Sequence, residues 1–309
     1  MRHSLYWDDF ARRIDETSDA INSGKSPPIR RVAVFITERC NFKCKYCNAQ
    51  RNNKSLQKDA FESIVERHGK DAIIHITGGE PSMVPWLYPY LESRPDVRFH
   101  LNTNAFIMPP LTIKRLKVSL DSCNDNWDVL VGQQGAFERV VDNIKVASKS
   151  VITSITFTLT HANIGEVLDF IRFANREFPD LYAIFFSIYK GMNDSFVFTD
   201  KDKEIFFNEL RPEMLKILSS ESAALLEETI DEKKRLIQGA RFPENDLNKP
   251  CYISMTERVY KYDGTEHRCS HLFRDGVSQK DCEKHINCQY GCNRRLIAFN
   301  EEVEKRIVK

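Results

Sequence analysis

The sequence has no apolar run approaching the length needed to cross a bilayer, which excludes a helical membrane span. Its opening segment, Met1 to Arg13, lacks the apolar centre of a signal peptide, so the chain is expected in the cytoplasm. It also lacks an excess of one charge. Forty-five basic residues face 44 acidic ones for a formal net charge of +1, so nothing electrostatic calls for nucleic acid or a membrane surface as partner. Cysteine is another matter, for there are nine. In a reducing compartment such thiols serve as metal ligands or catalytic groups more often than as disulfides. An odd count leaves at least one outside any paired scheme.

Three of the nine stand close together. Cys40, Cys44 and Cys47 follow the strand-like stretch Val32 to Ile36 with the spacing C-x3-C-x2-C, and no fourth ligand lies nearby. A structural zinc site wants four closed ligands, and a zinc knuckle or a chance cluster of thiols is the plainer alternative. Three thiolates on one tight loop suit a cubane iron–sulfur cluster with one iron left open to a small molecule. A second motif, Thr77-Gly78-Gly79-Glu80-Pro81, closes the apolar run that starts at Ile73. Its glycines let a ligand approach the backbone, and Glu80 offers a carboxylate beside amides. Alone such a turn says little, because strand ends often carry Gly and Pro.

Together these motifs resemble the radical S-adenosylmethionine (SAM) superfamily, whose signature is C-x3-C-x2-C with an aromatic residue before the last cysteine, here Tyr46. The resemblance implies that Cys40, Cys44 and Cys47 hold a 4Fe-4S cluster whose open iron is chelated by SAM. It implies that Gly78, Gly79, Glu80 and Pro81 hold the SAM amino group. One electron from an external donor such as flavodoxin or ferredoxin would cleave SAM, and the 5′-deoxyadenosyl radical would take a substrate hydrogen.

From Arg31 onward strand-like and helix-like segments alternate. Strands are expected at 31–37, 72–77, 97–101, 115–120, 151–160 and 182–189, with helices near 56–68, 84–92, 135–149 and 164–177. Such alternation argues for parallel βα units, an α/β fold. Six units match the partial (β/α)6 barrel of the resembling family, with chemistry at the C-terminal strand ends. Two further strand ends fit. Asn102 and Asn104 resemble the family's Thr-Asn-Gly segment with Ala105 replacing the glycine. Ser119 and Asp121 resemble its Ser-Leu-Asp segment, which reaches the SAM carboxylate or ribose. Each competes with an ordinary capping role. His161, after another strand end, is weighed as a substrate contact against a capping or exposed role, and His75 inside a strand reads as structural.

The expected organisation is a helical extension over 1–28 (Leu5, Phe10, Ile14, Ile21), the barrel over 29–200, a charged helical connector over 201–248 and a small cysteine-rich extension over 249–309. The first segment is too short for the leader-peptide-binding domain of peptide-modifying relatives. Gly239 to Pro250 reads as a linker.

Five cysteines crowd the last part: Cys251, Cys269, Cys282, Cys288 and Cys292. Alternation over Ile253 to Tyr262, followed by Asp263-Gly264, reads as a hairpin. The pattern resembles the twitch or SPASM extensions of the same superfamily, but Gln279 stands where one cysteine belongs. The resemblance therefore implies one auxiliary 4Fe-4S cluster, held by Cys251, Cys269 and Cys292, its fourth position taken by Cys288 or Cys282 or left open, with a zinc ribbon as the alternative. A spare thiol, including Cys123 beyond Asp121, is weighed as a hydrogen donor against simple packing.

The expected reaction is oxidative tailoring of a peptide or sugar-like small molecule, with the auxiliary cluster as electron acceptor. Redox-neutral epimerisation, rearrangement or elimination is the alternative, and a non-catalytic metal- or partner-binding module is the remote one. No B12-binding segment is apparent, which argues against cobalamin-dependent methyl transfer.

Overall fold

The computed structural model describes residues 4–228, apart from 48, 50, 51, 190 and 192, together with 251–268 and 294–308. After helix α1 (Ser4–Asn22) the chain passes through six strands, with a helix in every connection but the third. The strands are β1 (Arg31–Phe35), β2 (Ile73–Thr77), β3 (Phe99–Thr103), β4 (Arg115–Ser119), β5 (Ile152–Leu159) and β6 (Ala183–Ile188). Helices α2 (Lys58–His68), α3 (Leu87–Ser93), α4 (Asn126–Val131), α5 (Ala136–Ala147) and α6 (Val167–Glu177) fall between them. Each strand pairs in parallel with the next, so the six expected strands form one continuous sheet, although β3 leads to β4 without the helix of a full βα unit. The fold is α/β, consistent with a partial barrel.

Strand alternation divides the sheet into two faces. Val32, Val34, Ile74, Ile76, Leu101, Val118, Ile155 and Phe157 are buried against Phe61, Leu87, Leu91, Ile144, Phe170 and Ile171 of the helices. This apolar layer is the main core. Residues of the opposite parity line the concave face: His75 on β2, His100 and Asn102 on β3, Arg115, Lys117 and Ser119 on β4.

Beyond β6 come α7 (Asp200–Ile205), α8 (Arg211–Ile217) and α9 (Ser220–Glu228). Residues 251–268 differ from the plain hairpin expected there. Ile253–Thr256 is a helical turn, α10, and only β7 (Glu257–Tyr260) and β8 (Glu266–His267) pair antiparallel. Gly264 turns the chain at φ 81°. β7 also pairs in parallel with β1, extending the sheet to eight strands in the order β6-β5-β4-β3-β2-β1-β7-β8. Strand alternation alone carries no information about which sheet edge receives a late hairpin.

A second core lies beside this edge. Ile14 of α1, Cys251, Ile253, and Phe299 and Val303 of α11 (Arg294–Arg306) are buried together, with Phe10 and Ile21 packed on them. Arg13, also buried, donates to Glu257 at 2.9 Å and Thr256 at 3.1 Å. Removing one partner of a buried pair strands the other charge. Arg13→Ala should therefore lower unfolding free energy by about 3 kcal/mol in urea titration, with Glu257→Gln in the same chain recovering part of it. Wild-type stability in the single variant would contradict this coupling.

Candidate active site

The cysteine loop leaves β1 at Ile36 and is held at both ends. At its root Thr37 Oγ1 donates to the Lys54 carbonyl at 2.9 Å and meets Ser55 Oγ at 2.7 Å. At its tip the amides of Lys43 and Lys45 donate to the carbonyls of Val131 and Leu130 at 2.7 and 3.0 Å. Between them Phe42 is fully buried, edge-on to Trp127 and Phe106 with centroids 5.7 and 5.8 Å apart. Burying an aromatic ring is a large apolar contribution, so the middle one of the three residues between the first two cysteines pins the loop, while Cys40 and Cys44 pack only partly buried against the core. Cys40 and Cys44 are half-buried and Cys47 is exposed. A cubane asks for one thiolate per iron, and three soft donors on one loop supply that chemistry.

The Gly78-Gly79 segment closes against this loop. Gly79 N–H donates to the Thr37 carbonyl and Glu80 N–H to the Arg39 carbonyl, both at 2.7 Å. A Cβ on Gly79 would stand 2.2 Å from the Arg39 oxygen, and one on Gly78, whose φ is 145°, 2.4 Å from the Thr37 oxygen. The close approach that the glycines permit is thus made by the cysteine loop's own backbone. Glu80 is 1% exposed, and its carboxylate accepts from Ser82 N–H (3.0 Å), Thr103 Oγ1 (2.7 Å) and Asn104 N–H (2.7 Å). Burial raises its pKa, and these donors oppose the rise. Pro81 is buried at the start of the short helical turn that Glu80 caps.

The β3 and β4 ends brace the same loop. Asn104 Nδ2 donates to Asn41 Oδ1 at 2.8 Å, bridging Glu80 to the residue after Cys40. Ala105, at the position of the absent glycine, keeps a left-handed backbone with φ 53°. Asn102 keeps a buried Oδ1 without a hydrogen-bond partner on the concave face. Ser119 is exposed at the end of β4. Asp121 is buried, accepting from Thr158 N–H at 2.6 Å and from the Tyr46 hydroxyl. Burial raises the pKa of both, and Asp121's charge adds to the rise at Tyr46. Tyr46 thus joins the cysteine loop to β4 and β5, a link visible only once both strands are placed. It also packs edge-on to Phe196, centroids 6.0 Å apart.

His161 donates its backbone N–H to the Phe196 carbonyl (3.0 Å), and its Nδ1 lies 2.7 Å from Asp202 Oδ2. Asp202 is also the N3 member of the α7 capping box. Cys123 is half-buried beside Glu166 and Asp169, where burial and then these carboxylates push its thiol pKa up. Of the tail cysteines only Cys251 lies within the described residues. Cys269, Cys282, Cys288 and Cys292 lie outside them, as do Gln279 and the segment Gly239 to Pro250.

His75 and His100, on the concave face, have rings 6.3 Å apart. Burial, then the charges of Arg115, Arg31 and Arg98, push His100 down to about 3. Burial, then Arg31, His100, Lys117 and Arg115, pushes His75 well below the usual imidazole range. The unfolded chain then binds protons, below a pH of about 6.5, that the folded chain refuses. Stability is full above that pH and falls below it, by at most about 1.4 kcal/mol per pH unit for each histidine. His100→Gln should flatten the fall of the urea midpoint between about pH 6 and 4, and an unchanged slope would contradict the assignment.

Comparison with known proteins gives a consistent picture. Residues 34–174 match the family model of the Radical SAM superfamily. A GTP 3′,8-cyclase of Aliarcobacter butzleri is 30% identical over 143 residues, covering 38% of this chain and 42% of that protein. One from Nautilia profundicola is 29% identical over 213 residues, covering 58% and 65%. The chain thus spans from about two fifths to just under two thirds of the length of these relatives. Among solved structures, Streptococcus suis SuiB bound to precursor peptide SuiA aligns with a TM-score of 0.60 at 12% identity, over 88% of this chain and 65% of that one. Native anSMEcpe with bound AdoMet and Cp18Cys peptide aligns at 0.55 and 14% identity, over 91% and 83%. At such identities the likeness is one of fold.

Proposed function

We propose, from the premise that this chain belongs to the radical SAM superfamily through residues 34–174, that it cleaves SAM reductively and abstracts hydrogen from a substrate held at the barrel mouth. A 4Fe-4S cluster and SAM are the superfamily's cofactors. Bound, they supply a hydrogen-abstracting carbon radical. The observation that carries the reading is the three-thiol loop, clamped at root and tip, at the C-terminal end of β1.

In this reading Cys40, Cys44 and Cys47 hold the cluster, and Phe42 and Tyr46 fix the loop that carries them. Glu80, Asn104 and Asn41 set the loop's height above β2 and β3. Asn102 and Ser119 face the concave side and contact SAM or substrate, while Asp121 orients Tyr46. An external one-electron donor of flavodoxin or ferredoxin type completes the set.

The net reaction we favour is oxidative tailoring of a sugar-like small molecule or a peptide. Cys251, Cys269 and Cys292, with Cys288 or Cys282, would hold an auxiliary cluster, which would supply the electron acceptor. Iron near eight per chain supports that cluster, whereas about four irons with stoichiometric zinc would remove it. A second reading, a redox-neutral rearrangement, is favoured by the GTP 3′,8-cyclase relatives. Anaerobic incubation with GTP and SAM separates the two, since a cyclase consumes GTP without a net oxidant. The shared premise is tested by anaerobic reconstitution with iron and sulfide, reduction with dithionite and addition of SAM. Formation of 5′-deoxyadenosine and methionine is expected. Their absence at full iron loading would overturn the reading.

A further inference from the structure

The concave face of the sheet has an unusual composition for a barrel interior. Closed barrels fill theirs with layers of Val, Ile and Leu. Here the register stacks polar layers instead. His75, His100 and Arg115 lie side by side across β2, β3 and β4, with Arg31 on the same face of β1 two residues before Ala33, the partner of His75. One layer toward the mouth come Asn102, Lys117 and Ser154. Above them Ser119 pairs with Thr156 and Thr156 with Phe185, and at the rim Thr158 pairs with Ser187.

The chemistry thus changes with depth, from a cationic floor to hydroxyls at the mouth. Lys117 reaches between the two, its Nζ 4.0 Å over the ring of Phe185. The floor's basic groups sense one another. The charges felt most strongly by His75 are those of Arg31, His100, Lys117 and Arg115. The buried Asn102 Oδ1, which has no partner, lies beside Lys117 in the register. A buried polar atom left unpaired costs stability unless a ligand or water meets it.

We propose that this lumen is the substrate seat and that Lys117, Arg115 and Arg31 receive a phosphate-type anion carried by a hydroxyl-bearing small molecule, with neutral His100 beside them as a hydrogen-bond donor. The hydroxyl-rich layers of Ser119, Thr156, Thr158 and Ser187 then meet the body of that molecule. Its reacting carbon lies uppermost, next to the cysteine loop. The inference rests on the preceding reading for the reacting end alone, since anion binding needs neither SAM nor an electron.

The test uses the full chain without SAM or reductant, titrated by calorimetry near pH 7 with inorganic phosphate, pyrophosphate, GTP and citrate. Pyrophosphate or GTP should bind with a Kd below about 1 mM. Citrate binding as tightly would assign the seat to a carboxylate source and overturn the phosphate assignment. Lys117→Gln should weaken pyrophosphate binding about tenfold, with the exposed Lys149→Gln unchanged. Should Lys117→Gln fail to fold, Arg31→Gln, exposed at the floor, should weaken binding in the same direction. No binding of any anion, or equal loss in Lys149→Gln, would overturn the inference. Production of 5′-deoxyadenosine without anion binding sinks this inference alone. Anion binding without SAM cleavage sinks only the radical reading.

Discussion

Gly79→Ala is expected to lower stability by about 4 kcal/mol or more and to strip iron from the reconstituted protein. The added methyl has nowhere to go. It would meet the Arg39 carbonyl oxygen at 2.2 Å, the Arg39 carbonyl carbon at 2.8 Å and the Glu38 carbonyl carbon at 2.9 Å, all backbone atoms. Relief requires separating the segments joined by the Gly79–Thr37 and Glu80–Arg39 hydrogen bonds, which also set the root of the cysteine loop. Thermal melting should show a midpoint roughly 10 °C lower, and iron analysis a parallel loss. A Gly165→Ala control, where the new Cβ has open space, should melt like wild type. Wild-type melting and iron content in Gly79→Ala would show that the close approach bears no load.

Replacing Cys44 by alanine should have the opposite signature. The thiol lies half-buried on a loop whose position is set by Phe42 and by the Lys43 and Lys45 amides. Its loss removes little packing, so the melting midpoint should shift by only a few degrees. SAM cleavage, by contrast, should fall by roughly three orders of magnitude or more, because a group supplying a cofactor ligand acts on the chemistry as a unit with the others. Cys40→Ala and Cys47→Ala should match it. Cys123→Ala, beside Glu166 and Asp169, should retain SAM cleavage. Equal activity in Cys44→Ala and wild type would remove the loop from the reaction.

The barrel was legible because each strand advertises itself twice. In Ile73–Thr77 and Phe99–Thr103, alternate residues are buried against helices whose own apolar positions recur with helical spacing. The expected third strand lay two residues early. Val97 is buried like a strand residue, although it belongs to the turn before Phe99. Helix α4 was missed because Asn126–Val131 is too short to show a period. Its role emerges only in three dimensions, where its last carbonyls receive the cysteine-loop amides.

At the site, the strand ends lie where the sequence places them, and the structure adds what the residues there touch. Glu80 reads as a carboxylate beside amides, and in the fold it accepts from the Thr103 hydroxyl and the Asn104 amide. The reason is register: Thr103 shares the helix-covered face with Leu101, so its hydroxyl points at Glu80 rather than into the lumen. At Ala105 the backbone stays left-handed, a conformation that costs a residue with a Cβ about 1 kcal/mol. Its carbonyl accepts from Asn143 Nδ2 at 2.8 Å and its amide donates to Thr103 Oγ1 at 3.0 Å, which hold that conformation in place.

The central claim is that Cys40, Cys44 and Cys47 carry a cluster with an iron open to SAM. Electron paramagnetic resonance of the reduced, reconstituted chain, recorded before and after addition of SAM, addresses it most directly. A reduced 4Fe-4S signal whose g values shift on adding SAM, and which is lost from the Cys40→Ala/Cys44→Ala/Cys47→Ala chain, is the expected result. A signal indifferent to SAM, or one that survives loss of all three cysteines, would contradict the account.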